Sequence, residues 1–163
     1  MEVIVVVSIL GIVFAIAFPA LESLSPKYSL RSTARQIGTQ INFCRSSAGG
    51  AGKTYYLHYD LDEQLCWIIL PPTKEQDPDL ELEERDRTDV MKLSRFVEVE
   101  AIVLPDGSEV DDGQLDLQFD PLGFDGSHIV YLRNVDNGFI AVKFNAILGV
   151  VDYFSEKVDF EEF

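Results

Sequence analysis

Few side chains in this 163-residue sequence could carry chemistry. The histidines are His58 and His128, and neither lies in a motif that adds a nucleophile and an orienting acid. An exposed strand or loop position is the plainer assignment for both. There is no Gly-rich phosphate loop with a Lys, no HExxH and no CxxC, so no catalytic residue, metal or cofactor is assigned and the chain reads as a non-enzyme. Cys44 and Cys66 stand 22 positions apart. They read either as a disulfide, where the compartment is oxidising, or as two buried thiols acting as small core residues. Asp106, Glu109, Asp111 and Asp112 share one Gly-containing loop, and Asp120 and Asp125 another. Hard cations want several such oxygens. The spacing matches no EF-hand, and solvated acidic loops are the ordinary case.

The elements that must position these groups show in the hydrophobic spacing. Ser25-Pro26 is a helix start, with an N-cap residue and a proline at the first helical position. From there Leu30, Ala34, Ile37, Ile41, Cys44 and Ala48 recur at spacings of four and three, one face of an amphipathic helix. Arg31, Arg35, Gln36 and Asn42 fall on the other side, and Gly49-Gly50-Ala51-Gly52 ends the run. A helix this long has to lay its stripe on a sheet, and a sheet follows. Residues 54–60 and 64–70 form a hairpin in which Tyr55, Leu57 and Tyr59 face one way and His58 the other. Val97, Val99, Ala101 and Val103 alternate with acids, as do Leu115, Leu117 and Phe119, the pattern of half-buried strands. Residues 128–134 and 138–144 make a second hairpin with Asn137-Gly138 at its turn, and 147–154 is a closing strand. Residues 71–87, Pro-bearing and acid-heavy, read as an exposed loop or flexible insertion, and about 71–95 is assigned to an acidic loop. The expected fold is α+β: a long N-terminal helix packed on an antiparallel β-sheet head.

Charge divides the chain. Up to Tyr59 two acids face five bases, a net of +3; from Asp60 on, 26 acids face 8 bases, a net of −18. Such a head does not bind a phosphate backbone, which needs clustered Lys and Arg, so nucleic acid is excluded as a partner. Lys27, Arg31 and Arg35 recur every four residues on one side of the helix. That side is expected to meet acidic heads of adjacent molecules.

Residues 3–18 are apolar apart from Ser8 and Gly11. As a helix they would span about 24 Å, slightly short of the roughly 30 Å hydrocarbon core. An acid stands before the run and Phe-Pro after it, which does not fit a cleaved secretory signal. A carboxylate at the head of such a run is costly in lipid unless paired, or held at the headgroups or the positive end of the helix dipole.

Glu2, the run of Val and Ile, Gly11 and Pro19 resemble the N-terminal helix of type IV pilins and type II secretion pseudopilins. In the C-terminal half INFCRSSA, LQFDPLGFDGSHIVYLRN and FIAVKFNAILGVV resemble the H-type minor pseudopilins (the GspH/FimT family). Phe119, Pro121, Gly123, Gly126, Leu148 and Gly149 occupy that family's Phe-x-Pro-x-Gly turn and Leu-Gly positions. The resemblance covers 2–52 and about 115–154, and it implies three parts. Residues 1–24 would be a transmembrane and filament-core helix, 25–52 its amphipathic continuation, and 53–163 a β-rich periplasmic head.

The implied function is that of a structural minor pseudopilin of a type II secretion system, anchored in the inner membrane by a single pass and taking part in protein secretion. Glu2 would pair with the N-terminal amine of an adjacent subunit, and Pro19 would let the helix bend on assembly. Implied partners are other pseudopilin or pilin subunits, secreted cargo, and prepilin peptidase, which cuts and methylates the precursor. The basic leader, Gly and Phe of the family are absent here, which implies a start codon placed late or an engineered boundary. As written, the bases follow the apolar run, and the positive-inside rule alone would put them in the cytoplasm; a restored leader reverses that. Two alternatives stand beside this reading: a FimT-like minor type IV pilin, and a membrane-tethered periplasmic binding domain that does not polymerise.

Overall fold

A computed structural model of the chain describes residues 25–73, 76–77 and 80–160. Glu2, Pro19 and the rest of the apolar run lie outside the described residues, and no described helix is long and apolar enough to cross a membrane.

Helix α1, Ser25–Ala51, follows the spacing that predicts it. Leu30, Ala34, Ile37, Ile41, Cys44 and Ala48 are all buried, and Arg31, Arg35, Gln36 and Asn42 are exposed. Burying Ile37 and Ile41 contributes roughly 1.5–3 kcal/mol each. The helix ends where Gly52 adopts φ 64° and donates its N–H to the Ala48 carbonyl at 2.9 Å, a left-handed cap that a residue with a Cβ resists.

Two antiparallel sheets take the helix stripe. Strands β1 (Tyr55–Asp60), β2 (Leu65–Ile69), β3 (Arg87–Lys92) and β6 (Gln114–Phe119) form the first, in the order β3-β2-β1-β6. Strands β4 (Val97–Val103), β5 (Glu109–Val110), β7 (His128–Asn134), β8 (Phe139–Asn145) and β9 (Val150–Phe154) form the second, ordered β5-β4-β7-β8-β9. The expected α+β class holds, with the head divided between two sheets. The main core gathers the helix stripe, Leu57 and Tyr59 of β1, Leu117 and Phe119 of β6, and Val130, Val142 and Phe144 of the second sheet.

Two local expectations change. Val97, Val99, Ala101 and Val103 do not share one face. A bulge between Val99 and Ala101 shifts the register against β7, so Val97, Val99 and Ile102 enter the main core while Ala101 and Val103 turn to the far side of the sheet. One extra residue inverts everything after it. On that far side the chain's end forms a cover: Val158 is buried, Phe160 packs beside it, and the Tyr131 hydroxyl donates to the Val158 carbonyl at 2.9 Å. The acidic stretch 71–95 is not loop throughout. It contains a 3₁₀ turn at Leu82–Glu84 and then β3, an edge strand pairing with β2 across a bulge. Its residues are exposed or half-buried, so ladder bonds rather than an apolar alternation hold it, and the sequence carries no strand period there.

Candidate functional site

The histidines and cysteines singled out in the sequence lie inside the protein, and the structure corrects the exposed placement of both histidines. His128 opens β7 and is fully buried. Its Nδ1–H donates to the Gly126 carbonyl at 2.6 Å, and its Nε2 accepts from the Tyr59 hydroxyl at 3.1 Å. Both ring nitrogens are satisfied by the neutral tautomer, and the rings of Tyr59, Phe119 and Phe144 surround it. Burial holds its pKa down at about 4. Gly126 explains part of this placement. At φ 92° a Cβ there would meet the Phe119 ring at 2.8 Å, so the turn can deliver its carbonyl to His128 only with glycine.

His58 sits on the outer face of the first sheet, 6% exposed, its Nδ1 2.7 Å from an Asp116 carboxylate oxygen. Its ring stacks on Trp67 at 3.9 Å, and Arg87 lies over Trp67 at 4.9 Å. No spacing marks Asp116 as its partner, because the pairing is made by strand register: His58 stands opposite both Trp67 and Asp116. A histidine oriented by a carboxylate is half of a catalytic arrangement. The adjoining cavity, about 230 Å³, is otherwise lined by Asp60, Ile69, Leu82, Glu83, Arg87 and Gln114. None of these supplies a hydroxyl or thiol nucleophile.

Cys44 and Cys66 are both buried and both carry free thiols. The helix stripe and β2 do bring them into one neighbourhood. Burial, then the Asp89 carboxylate, pushes Cys44 up to about 12; burial and the neighbouring Cys44 raise Cys66. The Cys66 thiol donates to Gln40 Oε1 at 3.1 Å, and Gln40 Nε2 donates to the Asp89 carbonyl of β3 at 2.6 Å. Gln40 therefore ties the helix to the edge strand from a buried position, a role that no sequence signal marks.

The acidic loops serve their own backbones. Asp120 accepts from the N–H groups of Leu122, Phe124 and Asp125 at 2.8, 2.8 and 3.0 Å, and Asp106 takes the N–H and hydroxyl of Ser108 at 2.9 and 2.6 Å. These bonds hold both carboxyls below their ordinary pKa. Among the described residues no three His, Cys, Asp or Glu side chains form a metal cluster.

The remaining feature is a surface. Lys27, Arg31 and Arg35 lie exposed along one side of α1 and make no ion pair among the described residues. Between this side and strands β8 and β9 run two adjoining grooves of about 390 and 240 Å³, whose walls include Tyr28, Phe139, Ile140 and Tyr153. At Gly38 the helix comes so close to β9 that a Cβ would run into the Tyr153 hydroxyl. Small size, not a special φ, is what that position needs.

One solved structure fixes the architecture. The minor pseudopilin EpsH from the Type 2 Secretion System of Vibrio cholerae matches with a TM-score of 0.56, over 78% of this chain and 97% of that one. The fold is that of a minor pseudopilin. At 10% identity the likeness is one of fold. No protein-family model matches the sequence, and no curated protein sequence matches it. The resemblance read from the C-terminal half and its Phe-x-Pro-x-Gly turn thus meets a likeness in three dimensions. The turn residues are the ones that shape the head. Phe119 is buried, Gly123 and Gly126 take φ 77° and 92°, and Gly149 at φ 66° lies against the Arg45 guanidinium of the helix.

Proposed function

We propose that this chain is a structural minor pseudopilin of a type II secretion system, working by assembly and not by catalysis. The likeness of its helix and two sheets to EpsH over nearly the whole of that chain supports the reading best. On it, the apolar run before Ser25 anchors the chain in the inner membrane by a single pass, with the head in the periplasm. The same run then enters the helical core of a short filament beside other pseudopilin subunits. Prepilin peptidase acts on the precursor, and the head meets neighbouring subunits and secreted cargo. Glu2 pairs with the N-terminal amine of an adjacent subunit, since a carboxylate in an apolar bundle needs a compensating charge. Pro19 removes one helical hydrogen bond and gives the run a place to bend.

The test is Glu2→Ala in the producing cell, with filament assembly and secretion as readouts. Loss of both, while the head remains folded and protease-resistant, is the expected result. Unchanged assembly and secretion would refute the pairing role and favour a membrane-tethered binding domain.

A further inference from the structure

The groove of about 390 Å³ beside the start of α1 contains an orphaned polar group. Asn134, the last residue of β7, is 5% exposed. Its Oδ1 accepts from the backbone N–H groups of Asp136 and Gly138 at 3.1 and 2.6 Å. Two donors on one branch identify the other branch as the NH₂. That Nδ2 has no partner and is shielded from water, and a buried donor without an acceptor is costly. Asn134 and Gly138 both line the groove. Gly138 carries no side chain over the amide: a Cβ there would stand 3.0 Å from Nδ2.

The other polar side chains around this amide can all donate. They are Lys27, Arg31, and the hydroxyls of Tyr28 and Ser155. Lys27 and Arg31 are exposed and make no ion pair among the described residues. No carboxylate lines this groove or the adjoining one that carries Arg35, and Asp136, in the turn beside Asn134, lines neither. In a chain of 13 bases against 28 acids, such a collection of donors selects an anion with several acceptor oxygens. Two bases and one amide match a single phosphate, far short of the clustered bases that a nucleic-acid backbone needs.

Position indicates which anion. The groove lies where the described chain begins, and residues 19–26 separate the apolar run from Lys27. As a helix they would span about 12 Å, a distance closed by the headgroup layer, about 5–8 Å deep, and the stem of a snorkelling lysine. The same end exposes Tyr28 at 68% and Val135 at 63%, an amphipathic ring and an apolar tip suited to a bilayer boundary. We propose that this groove binds the phosphate of an anionic phospholipid headgroup. Lys27 and Arg31 pair with its charge, Asn134 Nδ2 donates to one of its oxygens, and the exposed Tyr28 side chain swings outward to admit it. Phe139 and Ile140 take the adjoining glycerol and upper acyl carbons. The contact holds the acidic head in one orientation against a surface that its net charge would otherwise repel. The proposal rests on reading the residues before Ser25 as a membrane anchor, and it adds a lipid site on the head itself.

The full chain in nonionic-detergent micelles tests it, with the Asn134 side-chain amide and the Gly138 backbone N–H followed by NMR. Phosphatidylglycerol doped into the micelles should shift both signals to saturation, at a mole fraction about ten-fold or more below any effect of phosphatidylcholine. Lys27→Glu with Arg31→Glu, both at exposed positions, should weaken that response about ten-fold or more. Asn134→Asp keeps an oxygen for Asp136 and Gly138 but removes the donor, and should weaken it about five-fold, read at Gly138. Unmoved signals, an equal response to phosphatidylcholine, or a double variant that binds like the parent would overturn the proposal. So would inorganic phosphate or a tetraglutamate peptide as effective as the lipid, since the occupant would then be a free anion or an acidic protein segment. Anchoring is read separately, by alkaline carbonate extraction of membranes from the producing cell. A chain that washes off while phosphatidylglycerol still moves Asn134 would refute the anchor and not the site. A chain that stays embedded while Asn134 ignores the lipid would refute the site alone.

Discussion

His128 makes the stability of the head sensitive to acid, by an amount the structure sets. In the fold its imidazole is neutral: Nδ1–H is spent on Gly126, and Nε2 accepts the Tyr59 hydroxyl. Protonation would put a second N–H on Nε2, against a hydroxyl already donating to it, and would bury a charge among Tyr59, Phe119 and Phe144. The unfolded chain binds the proton at about 6.5, and the folded chain at about 4. Between those values the unfolded state holds more protons, so stability rises with pH there. The contribution is complete above about pH 6.5. It falls away as pH drops toward 4 and is fully lost below that. At about 1.4 kcal/mol per pH unit, the gap amounts to roughly 3 kcal/mol. Proton NMR of the ring, in a His58→Gln background that leaves one histidine signal, should show no titration near 6.5 and a midpoint near the folded value. Chemical unfolding should agree. His128→Asn keeps a donor for Gly126 and removes the titration. It should be less stable than the parent at neutral pH, through lost ring packing, yet lose about 3 kcal/mol less on going to pH 4. A ring that titrates near 6.5 in the folded protein, or equal acid losses in parent and variant, would refute the reasoning.

Two further outcomes follow from the buried tie between helix and edge strand. Gln40→Leu leaves the Asp89 carbonyl and the Cys66 thiol without their partner. It should cost about 1–3 kcal/mol and speed amide exchange in β3 well before the other strands. Cys44 and Cys66, buried and with raised pKa values, should resist alkylation without reductant at pH 8 until the head is unfolded. Both should then react, adding two labels by mass. A parent chain that takes no label after unfolding would show that the thiols are bonded.

Much of the helix and core was legible because local periodicity and burial agree there. The stripe from Leu30 to Ala48 follows a helix period, and every member is buried. The hairpins at 54–70 and 128–144 were visible in their runs of strand-forming residues and their turn residues, although their strands are largely buried on both faces. Sequence spacing also separated the basic stripe Lys27, Arg31 and Arg35 from the acidic head. What failed to show has a common cause: it depends on which strand lies beside which. The bulge after Val99 inverts Ala101 and Val103 without altering the alternation of residue types. Strand β3 is held by backbone bonds to β2, which leave no apolar pattern.

The sequence by itself determined the amphipathic helix, the strand-rich head and the split of charge, because each is set by residues near one another along the chain. Only the tertiary structure decided what the chemical side chains do. His58 meets Asp116, 58 positions away, through the register of β1 with β6. His128 meets Tyr59 across the two sheets, and Gln40 reaches Asp89 from the helix. A side chain's partner and its exposure are properties of the packed layers, and no spacing in the sequence encodes them.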